Sequence, residues 1–100
     1  MVLTRNLIKG VDILKRHLEV FEKVADHGPV GILRLSKLTS LPNHQVRYSL
    51  RVLEDMGYIA PSSQGAVATV TFIELSNHLK AELVDIACRL DMLKDELEKI

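Results

Sequence analysis

One hundred residues suffice for a single small domain and leave little room for a separate ligand-binding one. Apolar residues make up 47% of the chain and aromatics only 4%, a balance that points to helices burying apolar surface between subunits as well as within one. Thirteen basic residues offset 13 acidic ones, so net charge gives no argument for nucleic acid. The N-terminal stretch lacks an uninterrupted apolar h-region, no run approaches about 18 uncharged apolar residues, and the lone Cys88 cannot close an internal disulfide. A soluble, cytoplasmic chain with no membrane partner is expected.

Taken in order, Leu7, Val11, Leu14, Leu18, Phe21 and Ala25 recur four and three apart, with Ile8, Ile13, Val20 and Val24 widening the stripe, which predicts a helix. Gly10 costs about 1 kcal/mol inside a helix relative to Ala. The helix proper is therefore expected near Val11, with an arm before it. "DHGPVG" stops it, Gly28 suiting the left-handed position after a helix and Pro29 unable to continue. Ile32, Leu35 and Leu38 at spacing three predict a short second helix that turns Arg34 and Lys37 elsewhere.

"TSLPN" makes a turn, Pro42 fits a helix N-terminus, and a third helix is expected from about Asn43 to Met56, ended by Gly57. On a wheel of about 100° per residue, Leu50 and Leu53 fall within about 40° of Val46, and the three should face the core. His44, Tyr48 and Arg51 fall opposite, flanked by Gln45 and Arg47, and Asp55 shares that face one turn later.

"YIAPSSQGAVATVTF" turns β-branched and small around a Pro/Gly cluster, which predicts a β-hairpin with Ala68, Val70 and Phe72 on one face of its second strand and Thr69 and Thr71 on the other. Ser76 is the expected N-cap of a last helix. Along that helix Leu79, Leu83, Ile86, Leu90, Leu93, Leu97 and Ile100 alternate four and three apart, a heptad seam. Charge is unevenly spread: from Gly28 to Leu53 the only Lys, Arg, Asp or Glu residues are Arg34, Lys37, Arg47 and Arg51, whereas acidic residues outnumber basic ones after Glu74.

The stretch "LSKLTSLPNHQVRYSLRVLEDMGYI" resembles the helix-turn-helix of winged-helix transcriptional regulators, and "VTFIELSNHLKAEL" is similar to their exit from the wing into a final helix. The likeness covers roughly residues 18–83. The last helix looks like those of small archaeal-type winged-helix regulators that dimerise through it. The resemblance implies a mainly α fold with a small β-hairpin wing (α+β), with residues 1–75 as DNA-binding domain and 76–100 as dimerisation helix of the same compact unit.

It further implies a homodimeric regulator of transcription that binds double-stranded DNA. Asn43, His44, Gln45, Arg47, Tyr48 and Arg51 would face the major groove, and Arg34 and Lys37 the phosphates. Arg suits guanine and Asn or Gln suits adenine through bidentate hydrogen bonds. The wing departs from the family pattern, because no Lys or Arg stands between Arg51 and Lys80. Ser62, Ser63 and Gln64 at its tip offer only neutral hydrogen bonds. Affinity per protomer is then modest, and useful binding needs two linked sites or other DNA-bound neighbours.

Other readings stay open beside this one. The polar face of the third helix could be plain solvated surface, or part of a winged-helix module that docks on a protein in a larger complex. The terminal seam could pack on the first helix or on a second copy, through Leu79, Leu83, Ile86, Leu90, Leu93 and Leu97. With Leu83, Leu90 and Leu97 at position a, a parallel pair sets Arg89 against the partner's Lys94, and an antiparallel pair centred near Arg89 opposes like charges too. His17, His27, His78 and Cys88 match no zinc spacing, so neither metal nor cofactor is expected. No catalytic dyad, triad or nucleotide loop is present, and no enzyme is expected.

Overall fold

The computed structural model describes residues 2–100. Four helices and one hairpin follow in the order α1 (Arg5–His27), α2 (Ile32–Thr39), α3 (Asn43–Asp55), β1 (Ile59–Ser62), β2 (Gly65–Ala68) and α4 (Phe72–Glu98). The mainly helical architecture with a small antiparallel hairpin agrees with the periodicities.

Val20, Phe21 and Val24 of α1 meet Leu35 of α2, Val46 and Leu53 of α3, Ile59 of β1, and Val30 and Leu75 in one buried core. Each such side chain contributes about 1.5–3 kcal/mol of burial. Ser49 of α3 is also fully buried, while Leu50 is only half-buried at the core margin. The wheel placed Leu50 inside. Because α3 lies against α1, the inner line runs through Val46, Ser49 and Leu53, and Leu50 is turned toward the hairpin side, where it borders a cleft with Val30, Ile59 and Pro61.

Several boundaries differ from expectation. Helix α1 starts at Arg5, so no arm precedes Val11; one interior glycine does not outweigh the backbone hydrogen bonds on either side of it. Gly28 is extended (φ −64°, ψ 150°) rather than left-handed. Its N–H closes the helix on the Val24 carbonyl at 2.8 Å, and the chain then runs straight out to pair with the hairpin. Val30 N–H donates to the Ala66 carbonyl (3.1 Å), and Ala66 N–H to the Val30 carbonyl (2.9 Å). This isolated bridge sets a single residue of a third segment beside the two-stranded sheet.

The end of α3 follows expectation. Gly57 has φ +81°, and the bonds Gly57 N–H to Glu54 O (3.0 Å) and Tyr58 N–H to Leu53 O (2.9 Å) form a Schellman motif. Antiparallel pairing sets Ile59 opposite Ala68 and Ser62 opposite Gly65, leaving Ser63 and Gln64 as the turn.

Strand β2 stops at Ala68, so Thr69, Val70 and Thr71 do not alternate as strand residues. Thr71, not Ser76, caps α4: its Oγ1 accepts from Glu74 N–H at 3.1 Å. The helix thus begins one turn early, and Phe72 reaches the Phe21 ring from helix rather than strand, at a centroid distance of 6.3 Å.

Candidate nucleic-acid interface

Helices α2 and α3 are joined by Ser40, Leu41 and Pro42, and hydroxyl groups hold this turn. Thr39 Oγ1 donates to the Leu35 carbonyl (2.7 Å) and accepts from Leu41 N–H (3.3 Å), while Ser36 donates to the Leu41 carbonyl. Both backbone groups of Leu41 are therefore occupied, and its half-buried side chain packs on the core. Ser40 takes the left-handed conformation (φ 60°) that reverses the chain. Pro42 then presents its carbonyl to Gln45 and Val46 N–H at 3.0 and 3.1 Å, and no side chain caps α3. The leading amides of α3 are left open to an outside acceptor.

Arg34 and Lys37 on α2 and Asn43, His44, Arg47, Tyr48 and Arg51 on α3 are all exposed. Among the described residues the ion pairs are Asp85–Arg89 and Lys94–Glu98, both on α4, so the four basic groups of α2 and α3 have no carboxylate partner. The polar face of α3 divides into two flanks. Arg47 and Arg51 border a shallow cleft with Ile32, Leu50, Glu54 and Asp55. Gln45 is half-buried on the other flank, in a cleft with Leu41 and with Asp12, Lys15, Arg16 and Glu19 of α1. Tyr48 leans the same way, its ring 5.7 Å from that of His17.

Sequence reasoning missed this contribution of α1. Lys15 and Arg16 lie beside the N-terminal half of α3, where they add positive charge next to Asp12 and Glu19. The run "LKRH" was the available signal, but nothing local says that it would face α3. His17 Nδ1 lies 2.7 Å from the buried Ser49 hydroxyl. Burial first, and the Arg16 charge second, hold its imidazole below the ordinary value of 6.5.

At the hairpin tip the expected residues are in place, though not equally available. Ser62 Oγ donates to the Gly65 carbonyl (2.5 Å) and accepts from Gln64 N–H (3.3 Å), so its hydroxyl is committed to the turn. Ser63 and the Gln64 amide remain exposed at the tip.

On α4 the seam changes environment at Leu79. That residue is half-buried and lines an apolar cavity of about 200 Å³ with Leu14, Leu18, Leu53, Met56 and Leu75. From Lys80 onward every residue is exposed, including Leu83 (43%), Ile86 (48%), Leu90 (47%), Leu93 (52%) and Leu97 (62%). The distal seam therefore does not pack on α1. Cys88 is exposed, and no cluster of three His, Cys, Asp or Glu side chains suited to a metal occurs among the described residues. No described helix is long and apolar enough to cross a membrane. No protein-family model and no curated protein matches the chain.

Proposed function

We propose that the chain is a winged-helix regulator of transcription that binds double-stranded DNA as a homodimer, laying α3 in the major groove while α2 crosses the phosphate backbone. The observation that carries this reading is the exposure of Arg34, Lys37, Arg47 and Arg51, without carboxylate partners, on two consecutive helices whose opposite faces are held in the core. Arg47 and Arg51 are the candidates for base edges, since a bidentate guanidinium–guanine pair discriminates by about 1–3 kcal/mol. Arg34, Lys37 and the open amides of α3 suit phosphate, which positions the protein without reading sequence. The hairpin adds Ser63 and Gln64 alone, so most of the binding free energy comes from the two helices.

Salt dependence tests the proposal. Neutralising Z phosphates gives a slope of about −0.9Z in log K against log salt, so two copies using these four residues yield a slope on the order of −4 to −7. Anisotropy with a mixed duplex pool, repeated from low to physiological salt, measures it. Steep weakening with an enriched subset of duplexes supports a sequence-specific regulator. Absence of binding at low salt favours a winged-helix module that docks on protein, a reading for which the neutral hairpin tip and Leu33, 72% exposed on α2, speak.

A further inference from the structure

The exposed half of α4 sets Leu83, Ile86, Leu90, Leu93 and Leu97 on one heptad seam, which Ile100 continues in sequence just past the helix end, and nothing among the described residues covers it. We propose that two copies pair these halves antiparallel, with Leu83 opposite Ile100, Ile86 opposite Leu97 and Leu90 opposite Leu93 of the partner subunit. The inference rests on the homodimer proposed above and adds its orientation and register.

Charge decides between the alternatives. With Leu83, Leu90 and Leu97 at a, the flanking g positions are Glu82, Arg89 and Glu96, and the e positions are Lys80, Ala87 and Lys94. A parallel pair joins g to e of the partner and sets Arg89 against Lys94 twice. An antiparallel pair joins g to g and e to e. Centred at Arg89, it opposes Arg89 to itself, Glu82 to Glu96 and Lys80 to Lys94, all repulsive. Moved half a heptad toward the C-terminal end, it pairs Arg89 with Glu96 twice and lays Lys94 over Ala87, with no like charges opposed.

The opposite half-heptad shift also satisfies charge, by pairing Glu82 with Arg89. It needs Leu79 and the turn before it at the contact, however, and there Leu75 is buried and Leu79 half-buried against the chain's own core. The chosen register uses only residues from Leu83 onward, all exposed. Arg89 already meets Asp85 at 3.0 Å in a pair that is 75% and 62% exposed, and it can accept Glu96 as a second partner without being desolvated.

The register has a consequence for binding. At about 1.5 Å per residue it separates the Leu79 positions of the two copies by about 38 Å along the paired helices, whereas a parallel pair would hold them side by side. That separation is comparable to the 34–36 Å between major-groove sites one turn apart.

Cross-linking in a Cys88→Ala background reads the register directly. We expect Arg89→Cys/Glu96→Cys to give a disulfide-linked dimer under mild oxidation, and neither Arg89→Cys alone nor Arg89→Cys/Lys94→Cys to do so. Charge reversal supplies a second reading without cysteines: Arg89→Glu or Glu96→Arg raises the dimer dissociation constant three- to tenfold, and the double reversal restores it. A linked dimer from Arg89→Cys alone, or from the Arg89/Lys94 combination, overturns the register while leaving the homodimer. A wild-type chain that sediments as a monomer at every concentration overturns the homodimer itself.

Discussion

The His17 imidazole lies 2.7 Å from the buried Ser49 hydroxyl and against the Tyr48 ring, so protonating it places a charge where burial disfavours one and Arg16 repels it. Its value in the folded chain is below 6.5, and the unfolded chain therefore takes up the proton first. The stability contributed by the neutral ring is complete above 6.5 and is lost as the pH falls from there through the folded value. Urea titrations at stepped pH should show a falling midpoint over this range, and His17→Gln should flatten it; an unchanged slope would mean that His17 is solvated. On the outward side of α3 the residues separate by role. Arg51→Ala should reduce the preference among duplexes by about 1–3 kcal/mol, whereas Lys37→Ala should weaken every duplex alike and reduce the dimer's salt slope by about two, close to one for each copy. Equal loss on all sequences for Arg51→Ala would remove it from the base-reading set.

Element boundaries follow from local chemistry wherever the partner atoms are close in sequence. The Thr71 hydroxyl holds Glu74 N–H, the half of a capping box that "TFIE" spells out, and Thr71→Ala should cost about 1 kcal/mol by thermal or urea unfolding. Ser76→Ala should cost little, since Ser76 lies inside α4. The stripes of α2 and α3, the hydroxyl-rich turn and the Gly57 stop were legible for the same reason. What could not be read depends on residues far apart in the chain. Ser49 is buried more deeply than Leu50, which packs at the core margin, because α3 lies on α1, and a helical wheel carries no information about which neighbour arrives. Likewise the Val30–Ala66 bridge joins segments that look like a helix stop and a hairpin. Gly65 makes that bridge feasible: at φ +129° an added Cβ would sit 2.5 Å from the Val30 carbonyl carbon. Gly65→Ala should therefore destabilise by at least about 1–3 kcal/mol, and amide exchange should report loss of protection at Val30 and Ala66 before the helices open. Of the candidate interface, the residue types on α2 and α3 were legible, but the share of α1 and the commitment of the Ser62 hydroxyl to its own turn were not.

At the scale of the whole molecule the chain is long for its size, 57 × 30 × 19 Å, because the distal half of α4 extends beyond the core. An unsupported helical segment of that length is marginal in water, and its exposed leucines gain nothing from the chain that carries them. A second copy would bury them, and then the unfolding temperature must rise with protein concentration, since only the folded state associates. Leu90→Glu isolates the effect. Leu90 is exposed within its own chain, so the substitution should leave the Val20–Phe21–Leu35 core and its cooperative unfolding intact while removing the concentration dependence. The same variant separates the contribution of pairing to DNA binding. A monomer presents half the cations of the dimer, so its salt slope should fall to about half, and duplexes carrying two sites should lose their advantage over duplexes carrying one. Were Leu90→Glu monomeric but unchanged in both slope and preference, each copy would bind DNA independently, and the seam would serve assembly alone.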